Sequence, residues 1–136
     1  MFEINNNRNV ASDLPIITNN FQVLHFDEFP ILFIGENPYG NKILGSLVCE
    51  DEDDDNLFRY FQSIVKDEIY FQFIDKKISY LEVLENSSSI FVLDKDINNK
   101  IIAIFHISFS EIPKDYLPLP NSFCPDIAEL MSQRTH

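Results

Sequence analysis

The stretch that decides the fold runs from Phe29 to Ile64, FPILFIGENPYGNKILGSLVCEDEDDDNLFRYFQSI, where three apolar runs are separated by a turn and by six consecutive acids. The first two runs, Pro30 to Ile34 and Lys42 to Cys49, are rich in β-branched and large apolar residues and flank Asn37-Pro-Tyr-Gly-Asn41. Pro38 presets φ for a turn, and Gly40 can take positive φ without a Cβ clash, so this stretch predicts a β-hairpin. The third run, Leu57 to Phe61, alternates: Leu57, Arg59 and Phe61 point one way, Phe58 and Tyr60 the other. Rings on both faces predict a strand covered on both sides, with Arg59 near an edge. Between the second and third runs, Glu50, Asp51, Glu52, Asp53, Asp54 and Asp55 have no neighbouring cations, and burying them would be costly, which predicts a solvated loop.

Working outward, Phe21 to Phe26 is the first strand upstream, with His25 a strand residue beside a core. Residues 1–20, rich in Asn, read as a loose N-terminal arm. Downstream the period changes. Ile64, Val65, Ile69, Phe73 and Ile74 recur at near-helical spacing and predict a short amphipathic helix over about 65–75. Ser79-Tyr-Leu-Glu82 has the spacing of a capping box, which predicts a second helix from Tyr80 to Glu85, ending at Asn86 with Leu81 and Leu84 facing the core. Ser88 to Leu93 and Lys100 to Phe109 read as two strands joined by a polar hairpin turn, in which Asn98-Asn99 tolerates left-handed backbone. The run from Ile101 to Ile107 is apolar on both faces and predicts the central strand.

The fold class is therefore α+β: a mostly antiparallel sheet of five to six strands, two short helices on one side, and a Pro-rich C-terminal tail. The organisation expected is an arm over 1–20, an α+β domain over 21–112 and a tail over 113–136, where Pro113, Pro118, Pro120 and Pro125 exclude regular helix and sheet. Tyr116, Leu117 and Leu119 should run extended there, packing on the domain or offered to another protein.

Composition narrows the function classes. A chain of 136 residues that is 45% hydrophobic, with 13 Phe, can bury one core without staples. Its formal net charge is −12, and residues 1–68 carry 13 acids against 4 bases while 69–136 carry 9 against 6. Such a surface repels nucleic acid and anionic membrane, whose binding requires Lys and Arg. No apolar run reaches membrane-spanning length and no signal sequence is apparent, so the expected location is cytoplasmic. Cys49 and Cys124 are too few for a disulfide scaffold, and a reduced pair is expected.

Motifs for chemistry are sparse. Gly35, Gly40 and Gly45 form neither a dinucleotide nor a P-loop pattern. The three histidines lack zinc-site spacing, and Asp94-x-Asp96-x-Asn98 begins like a calcium loop but continues with Asn99 where Gly is needed and Phe105 where Glu is needed. No cofactor or metal is expected. His106, inside a strand, reads as a structural histidine.

The succession PILF at 30–33, NPYGNKILG at 37–45, LFRYFQSI at 57–64, KKISYLEVL at 76–84 and SIFVLD at 89–94 resembles a group of small uncharacterised prokaryotic α+β domains. The resemblance covers about half the chain. It implies a unit that works as a component of something larger, with phage defence or a mobile element as a setting, and transfers no catalytic residue.

The function expected is a non-catalytic acidic protein–protein interaction module, an accessory or regulatory subunit of a larger bacterial assembly. Its partner would be another protein with a basic surface, met by Glu50 to Asp55 and by Tyr116, Leu117 and Leu119; self-association through a sheet edge is open. Two alternatives stand beside it: an acidic mimic of nucleic acid that inhibits a DNA- or RNA-binding protein, and a small enzyme with a site centred on His106.

Overall fold

A computed structural model describes residues 2–4, 14–51 and 56–120. Six strands, β1 (Asn19–Asp27), β2 (Phe29–Glu36), β3 (Lys42–Glu50), β4 (Leu57–Val65), β5 (Ser89–Asp96) and β6 (Ile101–Ile107), form one sheet in sequence order, every neighbouring pair antiparallel. Two helices, α1 (Asp67–Ile74) and α2 (Tyr80–Glu85), lie in the connection between β4 and β5. The α+β class, the antiparallel sheet and the pair of short helices on one side follow the sequence reading.

Strand alternation divides the buried residues between two faces. On the helix side, Leu32, Leu44, Phe61 and Val92 pack with Phe73 of α1 and with Tyr80, Val83 and Leu84 of α2. On the other side, Ile31, Phe33, Leu47, Phe58 and Tyr60 form a second cluster. A bulge between Leu47 and Cys49 sets Val48 and Cys49 both in the helix-side core.

The hairpin turn forms as its residues dictate. Asn37 is fully buried, its Oδ1 accepting from the backbone N–H groups of Tyr39 (3.0 Å) and Asn41 (2.9 Å), and Gly40 takes φ +81°. That pattern is the Asn side chain standing in for backbone in a tight turn. Helix α2 begins and ends where the sequence predicts. The Ser79 Oγ accepts from Glu82 N, the Glu82 carboxylate accepts from Ser79 N, and Asn86 closes the helix. Its buried face, however, is Tyr80, Val83 and Leu84, with Leu81 only half-buried. The Tyr80 hydroxyl shares a hydrogen bond with Ser46 Oγ, which ties α2 to β3.

Several expectations are corrected. The strand over 101–107 is not central: β6 ends the sheet, and Ile102 is 56% exposed. Its uninterrupted apolar run reflects side chains spread over the outermost strand, while the middle of the sheet is β3 and β4. Arg59 is not near an edge but 5% exposed in β4, held by Asp94. Helix α1 starts at Asp67 because Ile64 and Val65 continue the β4 ladder, opposite Ser89 and Lys42. Strand β5 runs through Asp96 rather than stopping at Leu93, since Asp94 and Lys95 both find partners inside the fold. The turn occupies 97–100, β6 starting at Ile101 rather than Lys100, with Asn99 at φ +65° as its left-handed residue.

Beyond β6 the chain makes two short 3-10 turns, Phe109–Glu111 and Lys114–Tyr116, where no helix is expected. Pro113 precedes the second turn, and a proline at a helix start forfeits only an N–H that has no partner within the helix.

Candidate functional site

The face of the sheet away from the helices carries a groove of about 610 Å³, the size of a small-ligand or side-chain pocket. Phe21 of β1 and Ile101 of β6 both line it, so it runs across the sheet from one outer strand to the other. Its floor comes from alternate residues of the inner strands, among them Phe33, Phe58, Tyr60 and Leu93.

Two glycines make that packing possible. A Cβ on Gly45 would stand 2.2 Å from the Phe33 ring, and one on Gly35 would stand 2.3 Å from Ile17 Cγ2. Phe33 lies opposite Gly45 in the β2–β3 ladder, so the ring folds over the bare backbone of its partner strand. Gly35 does the same for Ile17, which with Ile16 makes one wall. The segment over 14–18 is held there through its backbone, by two acceptors and one donor. Asn37 Nδ2 donates to Leu14 O at 2.9 Å, Gln62 Nε2 donates to Pro15 O, and Thr18 N donates to Glu36 O at 2.8 Å.

Lys95 supplies the groove's cation. Its Nζ donates to Gln62 Oε1 at 3.2 Å and lies 4.9 Å from the Tyr60 ring centroid and 5.7 Å from that of Phe33. Among the described residues it has no carboxylate within ion-pairing distance. Arg59 and Lys42, by contrast, meet Asp94 and Glu36 at 2.7 and 2.6 Å. Burial without a counter-ion disfavours the ammonium and brings the Lys95 pKa down to about 8. The same burial raises the neighbouring Tyr60 phenol to about 12. Asp96, the acid lining the groove, is engaged in the β5–β6 turn, its Oδ1 accepting from Asn98 N and Lys100 N at 2.9 Å each. Chemically, the groove can accept apolar side chains and offers one cation over aromatic faces.

Of the partner-contact residues singled out from sequence, the described ones do not line the groove. Glu50 is exposed at the end of β3 and Asp51 N donates to Leu57 O at 2.9 Å, while Glu52, Asp53, Asp54 and Asp55 lie outside the described residues. Tyr116 packs on Phe2, ring centroids 4.7 Å apart, and with Leu117 borders the helix-side core; Leu119 is 57% exposed. His106 stacks on Phe91 at 4.9 Å, and His25 is exposed on β1. Cys49 is buried; Cys124 lies outside the described residues. The calcium-like stretch is divided between an ion pair from Asp94 and the turn made by Asp96.

Sequence reasoning missed the groove. The signal was present in the alternation Phe91, Leu93, Lys95, which sets a lysine on the same strand face as two buried residues, and in two glycines on paired strands.

No family model and no solved structure matches this chain. Over 91 residues the chain is 26% identical to the flagellar assembly factor FliW of Caldanaerobacter subterraneus subsp. tengcongensis. The alignment covers 64% of this chain and 61% of that protein, so the chain spans about three fifths of the relative it matches. The likeness is to a flagellar assembly factor and carries nothing of a phage-defence or mobile-element setting. Among the described residues no helix is long and apolar enough to cross a membrane.

Proposed function

We propose that this protein is a cytoplasmic, non-catalytic, protein-binding accessory factor that acts on the assembly of a larger structure. The observation that carries the reading is the 26% identity to a flagellar assembly factor over 91 residues. The sheet supports it: the groove is walled by aromatic and aliphatic side chains, and Phe21 on its β1 side and Ile97 on its β5–β6 side are each 56% exposed. Apolar surface of this kind at the rim of a concave site suits a protein contact.

The acidic run Glu50 to Asp55 contributes in this proposal by steering a partner with a basic surface, which raises the association rate more than the final affinity. Leu119 offers a further apolar contact, whereas Tyr116 and Leu117 hold the tail on its own domain.

The test is affinity capture with the full chain from its native host, followed by reconstitution of the complex from purified components and calorimetric titration. A saturable complex of fixed stoichiometry is expected. Failure of the captured proteins to form such a complex overturns the reading. Displacement of the captured partner by duplex DNA would transfer it to mimicry of nucleic acid.

A further inference from the structure

We propose that the groove binds a segment of a partner protein that inserts one Asp or Glu between apolar side chains, with the carboxylate pairing with Lys95. This deepens the protein-binding reading and rests on it. Among the described residues the Lys95 ammonium makes one hydrogen bond, to Gln62 Oε1, and an ammonium has three donors. Tyr60 and Phe33 face it with ring π-density, which compensates part of its lost hydration. Keeping an uncompensated cation in such a place is costly, and an incoming carboxylate would recover that cost as a short, charge-assisted hydrogen bond in a site of low polarity.

The surroundings define the ligand further. Phe21 and Ile97 at the rims and Phe58 in the floor need apolar neighbours on either side of the acid. A formal net charge of −12 repels a polyanion, so the segment must carry a single carboxylate with no further acids beside it. Asp96 makes no ion pair with the ammonium; its Oδ1 is turned to two backbone N–H groups of the adjoining turn.

The test uses a display library of random peptides selected on the immobilised full chain, with enriched peptides titrated by fluorescence anisotropy. Enriched sequences should share one acid flanked by apolar residues. Binding should weaken at least about tenfold for Lys95→Met and for the peptide's own Glu→Gln change, and the two changes together should cost little more than either alone. Lys95→Arg should retain binding to within a few-fold, and Phe21→Ala, at an exposed rim, should weaken it in a folded protein. Melting of Lys95→Met at or above that of the parent protein would assign its loss of binding to the site. Absence of enriched sequences, enrichment without an acid, or equal binding by Lys95→Met overturns the proposal. So does saturable binding of octanoate by a chain that selects no peptide, which would make the groove a small-molecule site. If Lys95→Met still captures the host partner with unchanged affinity, the groove assignment fails while the accessory-factor reading stands.

Discussion

Arg59 and Asp94 face each other directly across β4 and β5 and bond through both carboxylate oxygens, Nε to Oδ1 at 2.7 Å and Nη2 to Oδ2 at 2.8 Å. Each residue is about as buried as the apolar core around it, 5% and 6% exposed. Arg59 Nη1 also donates to Phe2 O, and its guanidinium stacks 4.7 Å from the Phe2 ring. One planar cation thus joins two inner strands to the N-terminal residues. Removing a single partner strands the other charge in the core. Asp94→Ala is expected to lower stability by about 3–5 kcal/mol, whereas Arg59→Met with Asp94→Leu should cost much less, as measured by urea denaturation.

Lys95 gives the fold a distinctive pH response. Its folded pKa of about 8 lies below the ordinary 10.5, so between these values the unfolded chain holds more protons than the folded one. Stability must therefore rise as pH increases from about 8 toward 10. Above 10 the trend opposes this, because the unfolded Tyr60 ionises near 10 and the folded one only near 12. Lys95→Met should abolish the rise and, at pH 7, stabilise the protein by on the order of 1–3 kcal/mol. Thermal melts of both proteins across pH 7–10 check this; parallel curves would contradict it.

Gly45 and Gly40 should respond differently to alanine. At Gly45 the added Cβ meets the Phe33 ring at 2.2 Å, and that ring is itself locked into the groove floor, so Gly45→Ala is expected to cost about 1–3 kcal/mol and to distort the groove. At Gly40 there is open space but φ is +81°, so Gly40→Ala should cost about 1 kcal/mol through backbone strain alone. Amide chemical shifts of the groove residues would separate the two, moving for Gly45→Ala and staying in place for Gly40→Ala.

Two buried serines on the same face of the sheet provide a contrast. Ser46 Oγ shares a hydrogen bond with the Tyr80 hydroxyl, and burial there pushes the Tyr80 phenol up. Ser46→Ala leaves that hydroxyl unsatisfied and should cost about 1–3 kcal/mol. Ser63 Oγ, fully buried in β4, has no hydrogen-bond partner among the described residues. Ser63→Ala should be neutral or stabilising by up to about 1 kcal/mol, since it removes an uncompensated polar group. Equilibrium denaturation of the two variants tests both signs.

What the amino-acid sequence determined by itself is local. The Ser79–Glu82 capping box set α2 to the residue, and Asn37 with Gly40 set the β2–β3 turn, because each depends on atoms within three or four positions along the chain. Apolar and β-branched composition, with period-two alternation in the runs that became β1 and β4, likewise located the strands. Tertiary structure decided which strands lie in the middle and what their polar residues meet. Ile101 to Ile107 looked central because it is apolar on both faces, yet strand order depends on pairing with distant segments, and the chain adds β6 last, at the sheet's end. Arg59 and Asp94 are 35 residues apart, and Gln62 reaches Pro15 across 47, separations over which no local pattern speaks. Lys95 became the cation of an aromatic groove only when β2, β4 and β5 were brought side by side, because desolvation is a property of everything packed around a charge rather than of its neighbours in sequence.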